Sequence, residues 1–401
     1  MRVILGIGGG IAAYKACDLA SKLVQASHEV FPVMTDSATQ FVAPLTLRAL
    51  TGNPVGVKST DEPVGTLSHV KMAHWAEMLV IAPLTQNLLA QLSLGLSSDL
   101  LTLIFQGYSG PSVVAPAMES EMWLSPQTQT RLEELKRARV VSVVGPNTGR
   151  LASGRSGPGR MAEPSEIMNA VWSLTRPKTL QGRVILITAG ATWEYFDPVR
   201  ILTNPSTGTV GLSLSRELSA RGARVIVVHG PRMEEPFWPG VEYQEVVSAK
   251  DMLEAVEENI SEADTLIGAA AVSDFRPAKP FSEKQKKEQL DLLWPMTANP
   301  DIMSEMGAKY HDSKVLVGFA AETDQVLSAA KEKLLRKHLD AVIANKVGPS
   351  RGFGDSEYEA QIILREGASS HLHCSSKEEL ANCVADLLGT LRPKVGQKSY
   401  P

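Results

Sequence analysis

The sequence predicts two doubly wound α/β domains in tandem, on three observations. Short runs rich in Val, Ile and Leu alternate with patterned, helix-like stretches almost from end to end, as in parallel sheets covered by helices on both faces. The alternation restarts at residue 183, after the polar, breaker-rich segment TRPKTLQG at 175–182. A chain of 401 residues also exceeds one ordinary hydrophobic core. The expected division is a first domain over 1–175, a linker over 176–182 and a second domain over 183–401.

In the first series, residues 2–7, 29–35, 78–82, 112–115 and 140–144 read as strands, and 12–25, 86–94 and 128–137 as helices. In the second, 184–188, 224–228, 265–269, 314–319 and 341–344 read as strands, with helices at 206–221, 250–259, 325–337 and 377–388. Residues 283–288 (EKQKKE) read by default as a solvated loop.

Composition narrows the function classes. The chain is 43% hydrophobic and 21% charged, as in ordinary globular proteins. A net charge of −4 gives no bulk reason to bind nucleic acid or an anionic membrane, although small phosphorylated ligands need only local amides and a few cations. Cys17, Cys374 and Cys383 form no CxxC pair and suit a reducing compartment. No HExxH is present, so no linear pattern supports zinc, and the metal ligands stay unassigned. The opening RVILGIGGG reads as a strand and not a signal peptide, and no apolar run reaches the roughly 18 residues of a membrane span. A cytoplasmic protein is expected.

Four segments of the first half carry chemistry. Residues 6–15 (GIGGGIAAYK) end a strand and open a helix, which reads equally as a phosphate loop or a tight turn. The spacing is not GxGxxG, because Ile11 stands where the third glycine would fall. Residues 82–87 (APLTQN) and 116–123 (PAMESEMW) follow strands, where open α/β sheets bind ligands. Residues 145–160 form a Gly-, Ser- and Arg-rich stretch too long for a routine connection, so a mobile flap is expected.

Together these segments resemble the homo-oligomeric flavin-containing cysteine decarboxylases, in particular the phosphopantothenoylcysteine decarboxylases. The family stretches GGIAAYK, APxTxN, PxMNxxMW and GPGRM match residues 9–15, 82–87, 116–123 (but for one position) and 157–161. The resemblance implies bound FMN, with Gly9, Gly10, Thr35, Ala82 and Thr85 as contacts. It implies oxidation of the thiol-bearing carbon by FMN to give an electron sink for decarboxylation, and it selects His69, not the nearby His74, as the assisting histidine. Two positions depart from the family. The signature asparagine is Glu119, and the flap cysteine that returns a proton is Ser153. An ionised Glu119 would repel a substrate carboxylate, whereas a protonated one could donate a hydrogen bond and act as general acid.

In the second half, residues 188–194 (TAGATWE) follow a strand as a nucleotide loop would, and 204–211 (NPSTGTVG) lead into the 206–221 helix. Ser, Thr and Gly there suit either ordinary N-capping or an exposed anion site. No GxxxxGK[ST] occurs, which excludes a P-loop. With residues 270–274, 299–302 and 318–323, these segments resemble in order the bacterial phosphopantothenate–cysteine ligase motifs ITAGxTxExxDPVRxxxN, AAVxD, NPDI and GFAAET.

That resemblance covers about residues 183–365, and both halves stand in the order of the bacterial bifunctional proteins. It implies an acyl-nucleotidyl anhydride made from 4′-phosphopantothenate, which is then attacked by the cysteine amine. Arg200 and Asn204 are implied at the reaction centre and Lys284 over the triphosphate. Gly268, Ala269, Ala270 and Asp274 are implied around the base, with Pro300, Asp301, Ile302, Met303, Phe319, Lys333 and Lys337 completing the pocket. CTP with Mg2+ is implied as the nucleotide, and trimers through flavin domains and dimers through ligase domains as the assembly. Two other readings stay open: a ligase whose flavin domain serves only for assembly, and a non-enzymatic regulatory flavoprotein.

Overall fold

The structure, a computed structural model, describes residues 1–58, 69–236, 238, 240–286, 293–322, 326–346, 358–365, 369–374 and 376–391. It separates into two compact units, Met1–Thr175 and Arg176–Pro401. Residues 176–182 are not a free linker: Leu180 is fully buried in the core of the second unit, and its N–H donates to the Arg221 carbonyl.

The first unit runs β1 (Arg2–Ile7), α1 (Ala13–Gln25), β2 (Glu29–Met34), α2 (Pro44–Thr51), α3 (His69–Trp75), β3 (Met78–Leu84), α4 (Gln86–Ser93), α5 (Leu100–Gly107), β4 (Ser112–Pro116), α6 (Ser120–Leu124), α7 (Pro126–Ala138), β5 (Val141–Val143), β6 (Asn147–Arg150), β7 (Ser156–Arg160) and α8 (Pro164–Thr175). Five strands form a parallel sheet in the order β2-β1-β3-β4-β5, the flavodoxin-like doubly wound order. Alternate residues of β1 feed opposite faces, as the two-residue strand period requires. Val3, Leu5 and Ile7 pack with residues of α1 and α8, while Ile4 packs with residues of α4, α5 and α7.

The second unit continues with β8 (Val184–Ala189), β9 (Glu194–Tyr195), β10 (Ile201–Leu202), α9 (Thr209–Ala220), β11 (Arg224–His229), β12 (Val241–Glu245), α10 (Ala249–Asn259), β13 (Thr265–Gly268), β14 (Phe275–Pro277), β15 (Met296–Ala298), α11 (Ile302–Tyr310), β16 (Val315–Glu322), α12 (Val326–Arg336), β17 (Ala341–Lys346), β18 (Tyr358–Leu364), β19 (Ser369–Cys374) and α13 (Lys377–Thr390). Its sheet runs β12-β11-β8-β13-β16-β17-β18-β19. The first six strands are parallel, and the last two return antiparallel at one edge. Ile185, Ile187 and Ala189 pack with residues of α9 and α13 on one face. Leu186 packs with residues of α10, α11 and α12 on the other.

Two expectations need correction. The segment over 145–160, expected as a flap without regular structure of its own, contains an antiparallel hairpin, β6–β7. The helix expected from residue 206 begins at Thr209 behind Gly208, which adopts φ 75°, and no side chain caps it. Strands β12, β18 and β19, and helices α2, α3, α5, α6, α8 and α11, were not legible from short apolar runs. In these elements length and packing partners, not local period, decide between helix and strand.

Gly211 tests how tightly α9 is held against β8. An added Cβ would lie 2.3 Å from the Ala189 Cβ, and neither methyl can rotate away. Alanine gains at most about 1 kcal/mol of helix propensity over glycine, while overpacking a filled core costs ~1–3 kcal/mol. Gly211→Ala is expected to lower the urea midpoint of the second unit. An unchanged or raised midpoint would show that the helix can retreat from the sheet.

Candidate active sites

In the first unit the strand order reverses between β1 and β3, where open parallel sheets bind ligands beyond the strand ends. Gly8, Gly9 and Gly10 leave β1 at this point. A Cβ on Gly9 would stand 2.1 Å from Ser37 Oγ, and one on Gly8 2.6 Å from the Pro83 carbonyl oxygen. Packing therefore requires both glycines. Gly10 differs: a Cβ there would meet only the Thr85 methyl, at 3.6 Å. Beyond it begins α1, whose N-terminus no side chain caps. Free space, bare backbone and a helix N-terminus fit a phosphate group.

Thr35 and Thr85 frame this space after β2 and β3. The Thr35 hydroxyl accepts from Ala38 N at 3.3 Å and lies 3.1 Å from Ser37 Oγ; the Thr85 hydroxyl accepts from Leu88 N at 3.3 Å. Ala82 is fully buried within β3 and presents no side chain to a ligand. Lys15, the last residue of the glycine motif, is engaged elsewhere. Its Nζ donates to Glu163 Oε1 at 2.8 Å and to the Met161 carbonyl at 3.3 Å, tying the residues after the hairpin to α1. The Lys15 hydrogen bond leads the effects that hold the Glu163 carboxyl below its ordinary range.

The two departures from the decarboxylase pattern meet. Glu119 occupies the N-cap position of α6 beyond β4, and Ser153 lies at the hairpin tip. Ser153 Oγ donates to Glu119 Oε2 at 3.1 Å, and Arg155 forms an ion pair with Glu121 at 2.7 Å. Met118 N–H donates to the Gly159 carbonyl at 3.0 Å, and a Cβ on Gly159 would lie 2.1 Å from the Met118 carbonyl oxygen. The hairpin is thus seated on the Met118–Glu121 backbone. His69 is half-buried at the start of α3. α3 leads directly into β3, and its Met72 and Ala73 pack with residues of α5. Residues 59–68, which precede His69, are outside the described residues.

In the second unit a cleft of about 630 Å³ opens at the carboxyl ends of β8, β13 and β16. Asn204, Gly268, Ala269, Ala270, Asp274, Pro300, Asp301, Ile302, Met303, Phe319, Lys333 and Lys337 all line it. A Cβ on Gly268 would lie 2.5 Å from Met303 Sδ, so any side chain there would displace the Met303 thioether within the cleft. The Asn204 amide donates to the Ala271 and Val272 carbonyls, each at 3.2 Å, and Asn299 Nδ2 donates to the Ser273 carbonyl at 2.8 Å. Lys333 Nζ donates to the Phe319 carbonyl at 3.0 Å. Lys337 Nζ pairs with Asp301 at 2.7 Å, and Asp301 also caps α11 through Ser304 N. The i, i+4 spacing expected of these lysines holds, with Lys337 one residue past the end of α12.

Arg200 and Lys284 do not line the cleft. Arg200 Nη1 donates to Asp197 Oδ2 at 2.6 Å and to the Gln285 carbonyl at 3.2 Å, while Gln285 N–H donates to Asp197 at 3.2 Å. Lys284 is exposed beside this junction, and residues 287–292 are outside the described residues. Burial alone would raise the Asp197 carboxyl. Backbone donors from Val199, Arg200 and Gln285, with the Arg200 charge, outweigh it and hold the group below the ordinary aspartate range. Sequence reasoning passed over Asp197, whose signal was its place three residues before Arg200. It also passed over Ser37, which forbids a side chain at Gly9 from an unremarkable position. Thr323, the last residue of GFAAET, is outside the described residues.

Among the described residues no helix is long and apolar enough to cross a membrane. The flavoprotein family profile matches residues 1–176, and the profile of the DNA/pantothenate metabolism flavoprotein C-terminal domain matches residues 180–391. A coenzyme A biosynthesis bifunctional protein CoaBC from Vibrio cholerae is 38% identical over 391 residues, covering 96% of this chain and 97% of the relative. CoaBC of Bacillus subtilis is 36% identical over 402 residues, covering 99% and 98%. CoaBC of Mycobacterium tuberculosis is 38% identical over 410 residues, covering 97% and 96%. With relatives this similar along nearly their whole length, the chain belongs to the CoaBC family of bifunctional coenzyme A biosynthesis proteins.

Proposed function

We propose that the second unit couples 4′-phosphopantothenate to cysteine with CTP, and that the first decarboxylates the product to 4′-phosphopantetheine with FMN. One observation carries the ligase reading. Five separated sequence segments, at 204–211, 268–274, 299–303, 318–321 and 333–337, converge on one cleft of about 630 Å³. It is large enough for a nucleotide, and cations and helix N-termini lie on its walls. Gly208 and the start of α9 would receive phosphate oxygens, Lys333 and Lys337 would neutralise them, and residues 268–274 would bound the base. Binding a triphosphate would draw Lys337 from Asp301. Asn204 and Arg200 orient and neutralise the acyl phosphate without taking protons from it. Lys284 and Arg200 would reach the phosphates by movement of the loop that Asp197 anchors. Mg2+ would accompany the triphosphate, with its protein ligands unassigned.

In the first unit, Gly9, Gly10, Thr35 and Thr85 would hold the FMN phosphate and its surroundings. Bound FMN would supply the acceptor of two electrons for oxidation of the thiol-bearing carbon and would return the same two electrons to the enethiol, so that the reaction is redox-neutral overall. His69 assists that step. The hairpin excludes water, and Glu119, positioned by Ser153, delivers the proton that a cysteine delivers elsewhere in the family. The protein would work in the cytoplasm as a homo-oligomer.

A mass-resolved assay with 4′-phosphopantothenate, cysteine and nucleotide tests the ligase. CTP is expected to support coupling with release of CMP and pyrophosphate, and ATP to be much poorer. Equal rates with both would remove base selection from residues 268–274.

Asn204→Asp is expected to reduce coupling by roughly 10²-fold, the usual scale for one electrostatic group at a reacting oxyanion. The variant also loses both amide donors to Ala271 and Val272, so Asn204→Ala is the control. The charged variant should be the slower of the two, with circular dichroism unchanged in both. Wild-type coupling in Asn204→Asp would take the residue out of the site.

For the flavin half, phosphopantothenoylcysteine is supplied directly, and carbon dioxide and 4′-phosphopantetheine are followed by mass. Glu119→Gln is expected to slow 4′-phosphopantetheine formation by roughly 10²-fold, the scale of general acid catalysis. Oxidised enethiol leaving unprotonated would locate the defect at proton return. No turnover by FMN-loaded wild-type protein would leave a ligase with a scaffold.

A further inference from the structure

A second polar cluster stands at the carboxyl edge of the second unit's sheet, and none of its members lines the nucleotide cleft. His229 ends β11, Glu245 ends the neighbouring β12, and the parallel register pairs them directly. Glu235 arrives on the segment between these strands. One donor atom from each, an imidazole nitrogen and two carboxylate oxygens, lies within 4.8 Å of the other two. His229 is fully buried, whereas both carboxylates are exposed.

The two sides of the imidazole make incompatible demands on a neutral ring. Nδ1 stands 2.9 Å from the Gly230 carbonyl oxygen, which can only accept, so Nδ1 must carry hydrogen. Nε2 then presents a lone pair, yet it stands 3.0 Å from Glu235 Oε1. Lone pair against carboxylate is repulsive, and the contact is stable only with a positive centre between the two atoms. A proton would satisfy one carboxylate. Glu245 brings a second carboxylate oxygen within 4.8 Å of both atoms on the exposed side, and a single proton bridges the imidazole to only one carboxylate. A divalent cation balances both. An Nδ1–H bonded to a backbone carbonyl is also the usual way a protein fixes the tautomer of a metal-binding histidine.

We infer that His229, Glu235 and Glu245 form a divalent transition-metal site, separate from the magnesium that would accompany the nucleotide. An imidazole with two carboxylates suits Zn2+ better than Mg2+ or Ca2+, and water would complete the coordination on the exposed side. The site is a clip. Tyr243 meets the His229 ring edge-on at 6.0 Å, and its hydroxyl donates to the Pro236 carbonyl at 3.1 Å. Met233, on the same segment, is buried where a Cβ on Gly208 would fall 2.6 Å from its Sδ. Holding Glu235 to the strand ends would therefore also fix the residue that packs beneath the start of α9.

The test is zinc binding to the full chain after chelation and dialysis, read by titration calorimetry and by elemental analysis after equilibrium dialysis. Wild-type protein is expected to retain one more Zn2+ per chain than His229→Gln. Glu235→Gln and Glu245→Gln, conservative changes at exposed positions that need not disturb folding, are expected to weaken that site by about tenfold or more. Equal zinc stoichiometry and affinity in wild type and Glu245→Gln would overturn the inference. So would the absence of saturable binding by wild type.

Discussion

Parallel pairing of the central strands is the constraint on which both sites depend. Antiparallel neighbours can be joined by a tight turn, but parallel neighbours require the chain to cross back over a face of the sheet. Each crossover helix here returns the chain to the opposite edge, so strand carboxyl ends and helix N-termini gather on one side. In the first unit that edge receives the glycine turn, Thr35, Thr85 and Glu119. In the second it receives residues from the ends of β8, β13 and β16 and the starts of α9 and α11. The fold supplies anion-favouring helix ends before any charged side chain is placed.

Close approach is the second requirement, and glycine meets it where backbone or side chain crowds the edge. Gly8 is fixed by the Pro83 carbonyl and Gly9 by Ser37. Gly208 combines a left-handed backbone with a Met233 contact. These are packing demands of the chain itself, present whether or not a ligand is bound. Gly10 is the exception, because its surroundings leave room. A glycine that packing does not require, beside an uncapped helix start, marks where a ligand would lie.

Charge in the sites is already paired. Lys337 rests on Asp301, Arg200 on Asp197, Lys15 on Glu163, and the hairpin is tied through Ser153 to Glu119 and through Arg155 to Glu121. Such pairs leave little buried charge uncompensated. A phosphate reaching Lys337 or Arg200 would exchange for a carboxylate. Arg200 and its Asp197 anchor join the loop carrying Lys284 to the segment leading to Asn204.

The sequence by itself determined the division near residue 175, the parallel core strands, and most of the residues that line the second unit's cleft. Long apolar runs and linear motifs express local conformation and chemistry directly. Ala82 shows the limit: its motif is intact, yet the strand that carries it seals its side chain in the core. Only the tertiary structure decided the hairpin at 147–160, because Gly- and Ser-rich strands lack an apolar period and are held by pairing with each other. The start of α9 was decided the same way: Ser206 and Thr207 looked like caps, but Gly208 takes the left-handed turn. Lys284 and Arg200 belong to a junction beside the cleft, not to its wall, which depends on where Asp197 is buried. The contacts of Ser153 with Glu119, across 34 residues, and of His229 with Glu235, and the approach of Glu245 to both, have no linear spacing to read. Each exists because separate segments end at one sheet edge, a distance set by folding and not by sequence separation.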